Sequence, residues 1–236
     1  MKRLSAMSHV YVIGDVHGCY YSLMALMDRL GPGKEDEVVF LGDLINKGPY
    51  SLKVVDQVIA WREQGYQMPC LIGNHELKML NMIGNEDESE IDLYWKLYSA
   101  RGAYDEFFNA HYEIPGHYLR FFKKLQPYIA YDAYLLVHAG INFSLSKPLE
   151  DLKSLTTIRG WADDYEASKV AGKTIVHGHQ NCMLKDTRKA VEKGAKVIPL
   201  DTGCVYYGKK KGLGYLTALR LSDKKLYAQI NIEAFD

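Results

Sequence analysis

The stretch VYVIGDVHG, residues 10–18, runs from an apolar, strand-like segment into a turn that carries Asp15 and His17 between two glycines. A carboxylate and an imidazole two residues apart, released from a buried strand by Gly14 and Gly18, are residue types that ligate divalent metals. One such pair is common in ordinary turns, so a metal site needs further ligands from other strand ends.

Outward from this stretch, strand and helix signals alternate. CYYSLMALMDRLG places Leu23, Leu26, Met27 and Leu30 at helical spacing and stops at Gly31-Pro32. DEVVFLGD reads as a second strand. SLKVVDQVIAWREQG reads as a second helix, capped by Ser51 and ended by Gly65. MPCLIGNHE reads as a third strand followed by a polar turn. This order predicts parallel strands joined by crossover helices. The middle differs. NEDESEID, residues 85–92, is an acidic run that reads as a solvated loop. Leu93, Leu97, Tyr104, Phe107 and Phe108 fall near helical spacing, and Leu119, Phe122 and Leu125 follow a break at Pro115-Gly116. They predict a helical insertion at about 85–127 that covers one edge of the fold, with Tyr94, Trp95, Tyr98, Tyr112 and Phe121 in its core or rim. From Tyr128 onward, YIAYDAYLLVHAG, KTIVHGHQ and AKVIPLDTG read as strands. GYLTALRLS and KLYAQINI, joined at Asp223-Lys224-Lys225, read as a hairpin. With no repeat and no linker rich in Pro, Gly or Ser, one domain over residues 1–236 is expected.

Composition narrows the function classes. The 236 residues are 47% hydrophobic and 25% charged, enough for a sizeable core without staples. The 29 basic and 29 acidic residues cancel, which is not the basic excess of a nucleic-acid duplex binder. No apolar run approaches the ~20 residues that span a bilayer, and Met1–Ser8 is too short for a secretory signal. A membrane is therefore not an expected partner. Cys19, Cys70, Cys182 and Cys204 are scattered without a C-x-x-C pair, which predicts reduced thiols in a cytoplasmic protein.

Several strand ends carry metal-type side chains. GDVHG offers Asp15 and His17, GDLINKG offers Asp43, GNHE offers Asn74 and His75, VHAG offers His138, and VHGHQ offers His177 and His179. Loops leaving the carboxyl ends of strands in an open α/β sheet converge on one crevice. Carboxylate, imidazole and amide donors without thiolate suit manganese, iron or zinc. Six or seven donors exceed the need of one catalytic ion and suit two, ~3.5–4 Å apart, which lower the pKa of a shared water and clamp a phosphoryl oxygen. His9, His111 and His117 lie outside these segments and read as structural.

In order, GDVHG, GDLINKG, GNHE, VHAG and HGHQ resemble the metallophosphoesterases of the phosphoprotein phosphatase type, which include bacterial and phage serine/threonine phosphatases and symmetrical diadenosine tetraphosphate hydrolases. The resemblance runs from about Val10 to Leu221, with LDTG and LTALRL adding to it. It implies a calcineurin-like α/β sandwich of two mixed β-sheets flanked by helices. It also implies a dinuclear centre, manganese first with iron or zinc as substitutes. By motif, Asp15 and His17 would hold one ion, Asp43 would bridge, and Asn74, His138 and His179 would hold the other. His179, after the small residue, is the implied ligand over His177. His75 would donate a proton to the leaving oxygen, and Arg159 in TIRGW would bind phosphate.

One departure bears on chemistry. The family's Gly-Asp-x-Val-Asp-Arg-Gly is here Gly42-Asp43-Leu44-Ile45-Asn46-Lys47-Gly48. Asn46 is expected to accept from His75 through its amide oxygen without bringing a negative charge, leaving His75 a weaker acid. Lys47 keeps a positive charge for substrate but lacks the planar fork of arginine. General-acid help is worth ~10²–10⁴ for a poor leaving group such as an alkoxide, so aryl phosphates and phosphoanhydrides should be the better substrates. A second departure, Lys209-Lys210-Lys211-Gly212-Leu213-Gly214, interrupts the run into the terminal strands. It reads as a solvated loop or as a contact for a polyanionic tail. The expected reaction is hydrolysis of phosphate monoesters, serine/threonine phosphatase-like, by a hydroxide bridging two ions. The alternative is a dinucleoside polyphosphate hydrolase, and a catalytically impaired phosphate-binding protein ranks last. Partners would be a phosphorylated protein, a small phosphate ester or a dinucleoside polyphosphate.

Overall fold

A computed structural model describes residues 8–83, 105–107 and 114–233. In chain order the strands and α-helices that matter here are β1 (Val10–Ile13), α1 (Tyr20–Leu30), β2 (Glu37–Phe40), α2 (Ser51–Glu63), α3 (Asn74–Ile83), α4 (Gly116–Lys123), β3 (Tyr128–Ala130), β4 (Tyr134–Val137), α5 (Leu152–Thr157), β5 (Thr174–His177), α6 (Leu184–Glu192), β6 (Val197–Pro199), β7 (Tyr215–Arg220) and β8 (Lys225–Ile230). They form two four-stranded mixed sheets, ordered β2-β1-β7-β8 and β3-β4-β5-β6. In the first, β1 runs parallel to β2 and antiparallel to β7. In the second, β4, β5 and β6 are mutually parallel and β3 is antiparallel to β4.

The two-residue period of a strand sorts side chains into layers. Tyr11, Ile13, Val38 and Phe40 pack beneath α1 and α2, on Leu23, Leu26, Val54 and Val58. Their neighbours Val10, Val12, Val39 and Leu41 face the second sheet and meet Ile129, Leu136, Val176 and Ile198. On the far side of that sheet, Leu135, Val137 and Ile175 cover Phe143, Leu155 and Trp161. The central strands β1, β4 and β5 are thus apolar on both faces, which is why they read as continuous hydrophobic runs. Each fully buried Leu, Ile or Val stabilises by about 1.5–3 kcal/mol.

The predicted α1 buries the four residues expected of it and stops at Gly31, in the left-handed region at φ +55°. The terminal hairpin is β7–β8. The expected third strand is not one. Residues 67–71 make only isolated parallel bridges, Glu37 with Gln67, Phe40 with Cys70 and Leu71 with Gln126, because Pro69 has no N–H for a ladder. The polar turn read at GNHE is instead the first turn of α3. In α4 the buried face is Tyr118, Phe121 and Phe122; Leu119 is half-buried, and Leu125, past the helix end, is half-buried against the same core. The acidic run, Leu93, Leu97, Tyr104, Phe108 and the aromatics Tyr94, Trp95, Tyr98 and Tyr112 lie outside the described residues. Among the described residues no helix is long and apolar enough to cross a membrane, and the four cysteines are unpaired.

Candidate metal centre

The turns after β1, β2, β4 and β5 and the N-terminus of α3 meet at one end of the paired sheets. Three of their residues, His17, Asp43 and His179, have positive φ of 48°, 48° and 62°, as do Asn46 and Lys47 at 72° each. Left-handed backbone costs a non-glycine residue about 1–2 kcal/mol, so surrounding contacts must hold it. They do: the N–H groups of Val16 and His17 both donate to Asp43 O, at 3.2 and 2.8 Å, and Gly18 N donates to Leu44 O at 2.8 Å. Close backbone approach adds to the fixing. A Cβ on Gly73 would overlap Asp43 Oδ1, and one on Gly178 would overlap Asp15 Oδ1. Gly178→Ala is therefore expected to lower stability by about 1–3 kcal/mol and to weaken manganese binding, read from thermal melts with and without the ion. Unchanged melts in both would show that Asp15 yields freely.

Asp43 lies at the centre, 1% exposed. Its Oδ2 is 3.4 Å from His17 Nε2 and its Oδ1 is 3.4 Å from His138 Nε2. Two groups of converging donors share it: His17, Asp43 and His75, and Asp43, His138 and His179. Such spacings match the edges of a polyhedron whose donors sit about 2.1 Å from a common centre. His17 Nδ1 lies 3.0 Å from Ile45 O, and His138 Nδ1 lies 2.9 Å from Leu41 O. A carbonyl only accepts, so both rings carry hydrogen on Nδ1 and turn the Nε2 lone pair inward, the usual second contact of a ligating imidazole. His138 Nε2 then faces Asn74 Oδ1 at 3.3 Å, two acceptors with nothing to share but a cation. His179 Nε2 is buried without a hydrogen-bond partner. This donor set fits a pair of divalent ions.

Electrostatics agree. Burial holds the pKa values of His17 and His138 below the ordinary imidazole range, and takes His75 and His179 down to about 4 and about 3. Neutral imidazole is the ligating form. Burial opposes the charge on Asp43, but His138, His75, His17 and Lys47 outweigh it and hold the carboxyl below its usual range. Asp15 is buried beside His17, with Oδ2 3.8 Å from Nε2, and both of its oxygens accept from His179 N at 3.1 Å. Burial, then Asp201 and Asp43, push its pKa upward. Three buried carboxylates in one place call for cations, and the Lys47 ammonium stands where one would bind, its Nζ donating at 2.6 Å to the His17 Nε2 lone pair that a bound ion would take over.

His177, by contrast, faces Trp161 at 5.2 Å between ring centres and belongs to neither donor group. Arg159 is exposed, and its charge helps to depress His138 and His179. The adjacent Gly160 N donates to Gln180 Oε1 at 3.1 Å, tying this loop to the His179 turn. Asn46 differs from expectation. Its Oδ1 accepts from Lys47 N at 2.7 Å, so the amide nitrogen faces His75 Nδ1 at 3.0 Å. The amide therefore donates to His75 rather than accepting from it.

Two residues had no role assigned from sequence. Glu76 is fully buried, and its carboxylate accepts from Gly73, Asp43, Leu44 and Ile45 N–H groups at 2.8–3.2 Å. Gly73 O accepts the first helical bond of α3, from Leu77 N, so Glu76 is an N3 acid reaching back to its cap, and a glutamate three residues past Gly73 was the available signal. Asp201, after β6, is buried, accepts from Asn181 Nδ2 and from Gly203 N, and is raised by burial to about 6.

Known proteins bear on this arrangement. A bis(5'-nucleosyl)-tetraphosphatase PrpE [asymmetrical] from Halalkalibacterium halodurans is 28% identical over 90% of this chain and 89% of that protein. A symmetrical bis(5'-nucleosyl)-tetraphosphatase from Hamiltonella defensa is 44% identical over 30% of this chain. The match spans only 25% of that protein's length. In fold, a protein serine/threonine phosphatase from Saccharomyces cerevisiae superposes with a TM-score of 0.66 over 99% of this chain and 84% of that one, at 17% identity. The sequence pattern of the calcineurin-like phosphoesterases matches residues 8–199. With that match spanning most of its length, and with histidines and aspartates gathered at the strand ends, the chain belongs to the calcineurin-like phosphoesterases, metal-dependent hydrolases of phosphate esters and anhydrides.

Proposed function

We propose that this protein is a dinucleoside polyphosphate hydrolase, cleaving a phosphoanhydride of a bis(5'-nucleosyl) tetraphosphate. The hydrogen bond from Asn46 to His75 carries the reading, and the near full-length likeness to an asymmetrical tetraphosphatase supports it. Manganese is the proposed metal, with iron or zinc as substitutes, held by Asp15, His17, Asp43, Asn74, His138 and His179. Bound divalent ions would supply Lewis-acid charge for a phosphoryl oxygen and lower the pKa of the attacking water.

The chain's own residues do the rest. Lys47 and Arg159 bind phosphate oxygens on the two sides of the centre. Asn46 donates to His75 Nδ1, so the ring is neutral and its proton sits on Nε2, 3.9 Å from Asp43 Oδ2. From there Nε2–H can hydrogen-bond an oxygen of the departing group, but a neutral imidazole is a poor proton donor. A nucleoside phosphate leaves without that help; a serine alkoxide does not. The serine/threonine phosphatase expected first from sequence asks more of His75 than Asn46 permits. The unpaired cysteines suit a reducing compartment, and the cytoplasm is the proposed location.

Manganese-loaded protein should turn over diadenosine tetraphosphate with a kcat/KM well above that for a phosphoserine peptide. The reverse order would return the protein to the phosphatases. In Asn46→Asp a carboxylate would accept from protonated His75. The ratio of phosphoserine to aryl phosphate turnover should then rise about tenfold or more, with a new acid limb in its pH profile. A ratio equal to that of the unaltered protein would sink the leaving-group argument.

A further inference from the structure

Two surfaces near the centre have no part in the chemistry above. The first is a cage of Tyr20, Tyr21 and Tyr50, but Lys53 Nζ fills it, 4.4 Å from the Tyr50 ring centre and 5.4 Å from that of Tyr21. A filled cage is a structural contact. The second is the lysine loop after β6, and it is open to solvent.

We propose that Lys210, seated on Tyr206, is a subsite for the distal phosphates of a nucleoside polyphosphate whose reacting phosphate lies at the metal centre. This rests on the tetraphosphatase reading and adds to it a determinant of phosphate-chain length. A tyrosine ring shared by two ammoniums, one of them inside the centre, carries the inference. Lys47 Nζ is 2.6 Å from His17 Nε2, inside the centre. The same ammonium is 5.8 Å from the middle of the Tyr206 ring, and Lys210 Nζ is 4.0 Å from it. The two ammoniums are thus no more than about 10 Å apart, a distance that a few phosphoanhydride links span. Tyr206 is half-buried, whereas Lys209, Lys210 and Lys211 are exposed.

The loop is anchored where it must be to serve the site. Gly214 N and Tyr215 N both donate to Thr202 O, at 3.1 and 3.4 Å, closing it at its base. Thr202 follows Asp201, whose charge acts directly on Asp15. At the tip, Lys209 N and Lys210 N each donate to Tyr206 O at 3.0 Å. Gly208 and Gly212 turn the chain at φ +70° and +81°. The three lysines are a local positive field on a chain of zero net charge, and such a field draws in a polyanion. A phosphate monoester ends at Lys47. A tetraphosphate has further charges to place, and Lys210 offers an ammonium on the same tyrosine ring.

The test uses full-length, manganese-loaded protein and three probes: an aryl phosphate, diadenosine tetraphosphate, and inorganic tripolyphosphate as an inhibitor of aryl phosphate hydrolysis. In Lys210→Ala, the ratio of kcat/KM for the tetraphosphate to that for the aryl phosphate should fall about fivefold, with the loss in KM. The inhibition constant of tripolyphosphate should rise by a similar factor. Added salt should narrow both differences, and Lys210→Arg should restore both. Equal losses on both substrates, or an unchanged tripolyphosphate constant, would overturn the subsite. Should the unaltered protein leave diadenosine tetraphosphate intact, the tetraphosphatase reading fails. The tripolyphosphate constant then still decides whether Lys210 binds a phosphate chain.

Discussion

Asp43→Asn is expected to lower kcat/KM on every phosphate substrate by on the order of 10³-fold or more, and to cut the manganese bound from two ions per chain to one or none. The position is unusual in that each carboxylate oxygen serves a different donor group. Oδ2 faces His17 and Oδ1 faces His138, both at 3.4 Å. An asparagine of the same shape keeps one oxygen and presents an amide NH₂ to the other group, so one side meets a donor where it needs an acceptor. It also removes the negative charge that would let two cations lie close together in the proposed centre. Isothermal titration with manganese reads stoichiometry independently of turnover. Two ions bound with unaltered affinity would remove Asp43 from the centre.

Glu76→Ala should be the most destabilising change away from the ligands themselves. It would strip the acceptor from four backbone N–H groups at once, in a site sealed from water. Losing charge-assisted bonds and leaving buried donors unsatisfied costs about 3–5 kcal/mol, which corresponds to a melting temperature lower by about 10 °C in a chain of this size. Manganese binding should weaken alongside, because those donors belong to the turn that holds Asp43 in its left-handed conformation. Glu76→Gln separates volume from charge. It fills the same space but aims NH₂ at N–H, so it should melt closer to the alanine variant than to the unaltered protein. A melt within about 2 °C of unaltered, with full manganese binding, would show that the turn holds itself.

Much of this was written in local residue pattern. The runs before Asp15, Asp43 and His138 are apolar without interruption because β1, β2 and β4 are buried on both faces over most of their length, and glycine marks each exit. The third strand was misread because apolar content at 68–72 outweighed one missing N–H at Pro69. The polar turn was misread because a helix whose first residues are Asn74 and His75 has no apolar stripe until Met79. Glu76 went unassigned because an acid beside a ligand pair reads as solvent-facing, and only burial shows otherwise.

The order and type of side chain at the strand ends carried the resemblance that gave the family and, through it, the two-sheet architecture, and they named the proposed metal donors. These depend on residue identity and spacing, which are one-dimensional. The tertiary structure alone decided which way Asn46 turns, which oxygen of Asp43 serves which histidine, and that the Tyr206 ring lies 5.8 Å from the Lys47 ammonium and 4.0 Å from that of Lys210. Hydrogen-bond polarity and charge separation are set by where groups distant in the chain meet: Asn46 and His75 are 29 residues apart, and no local preference encodes the direction of the bond between them.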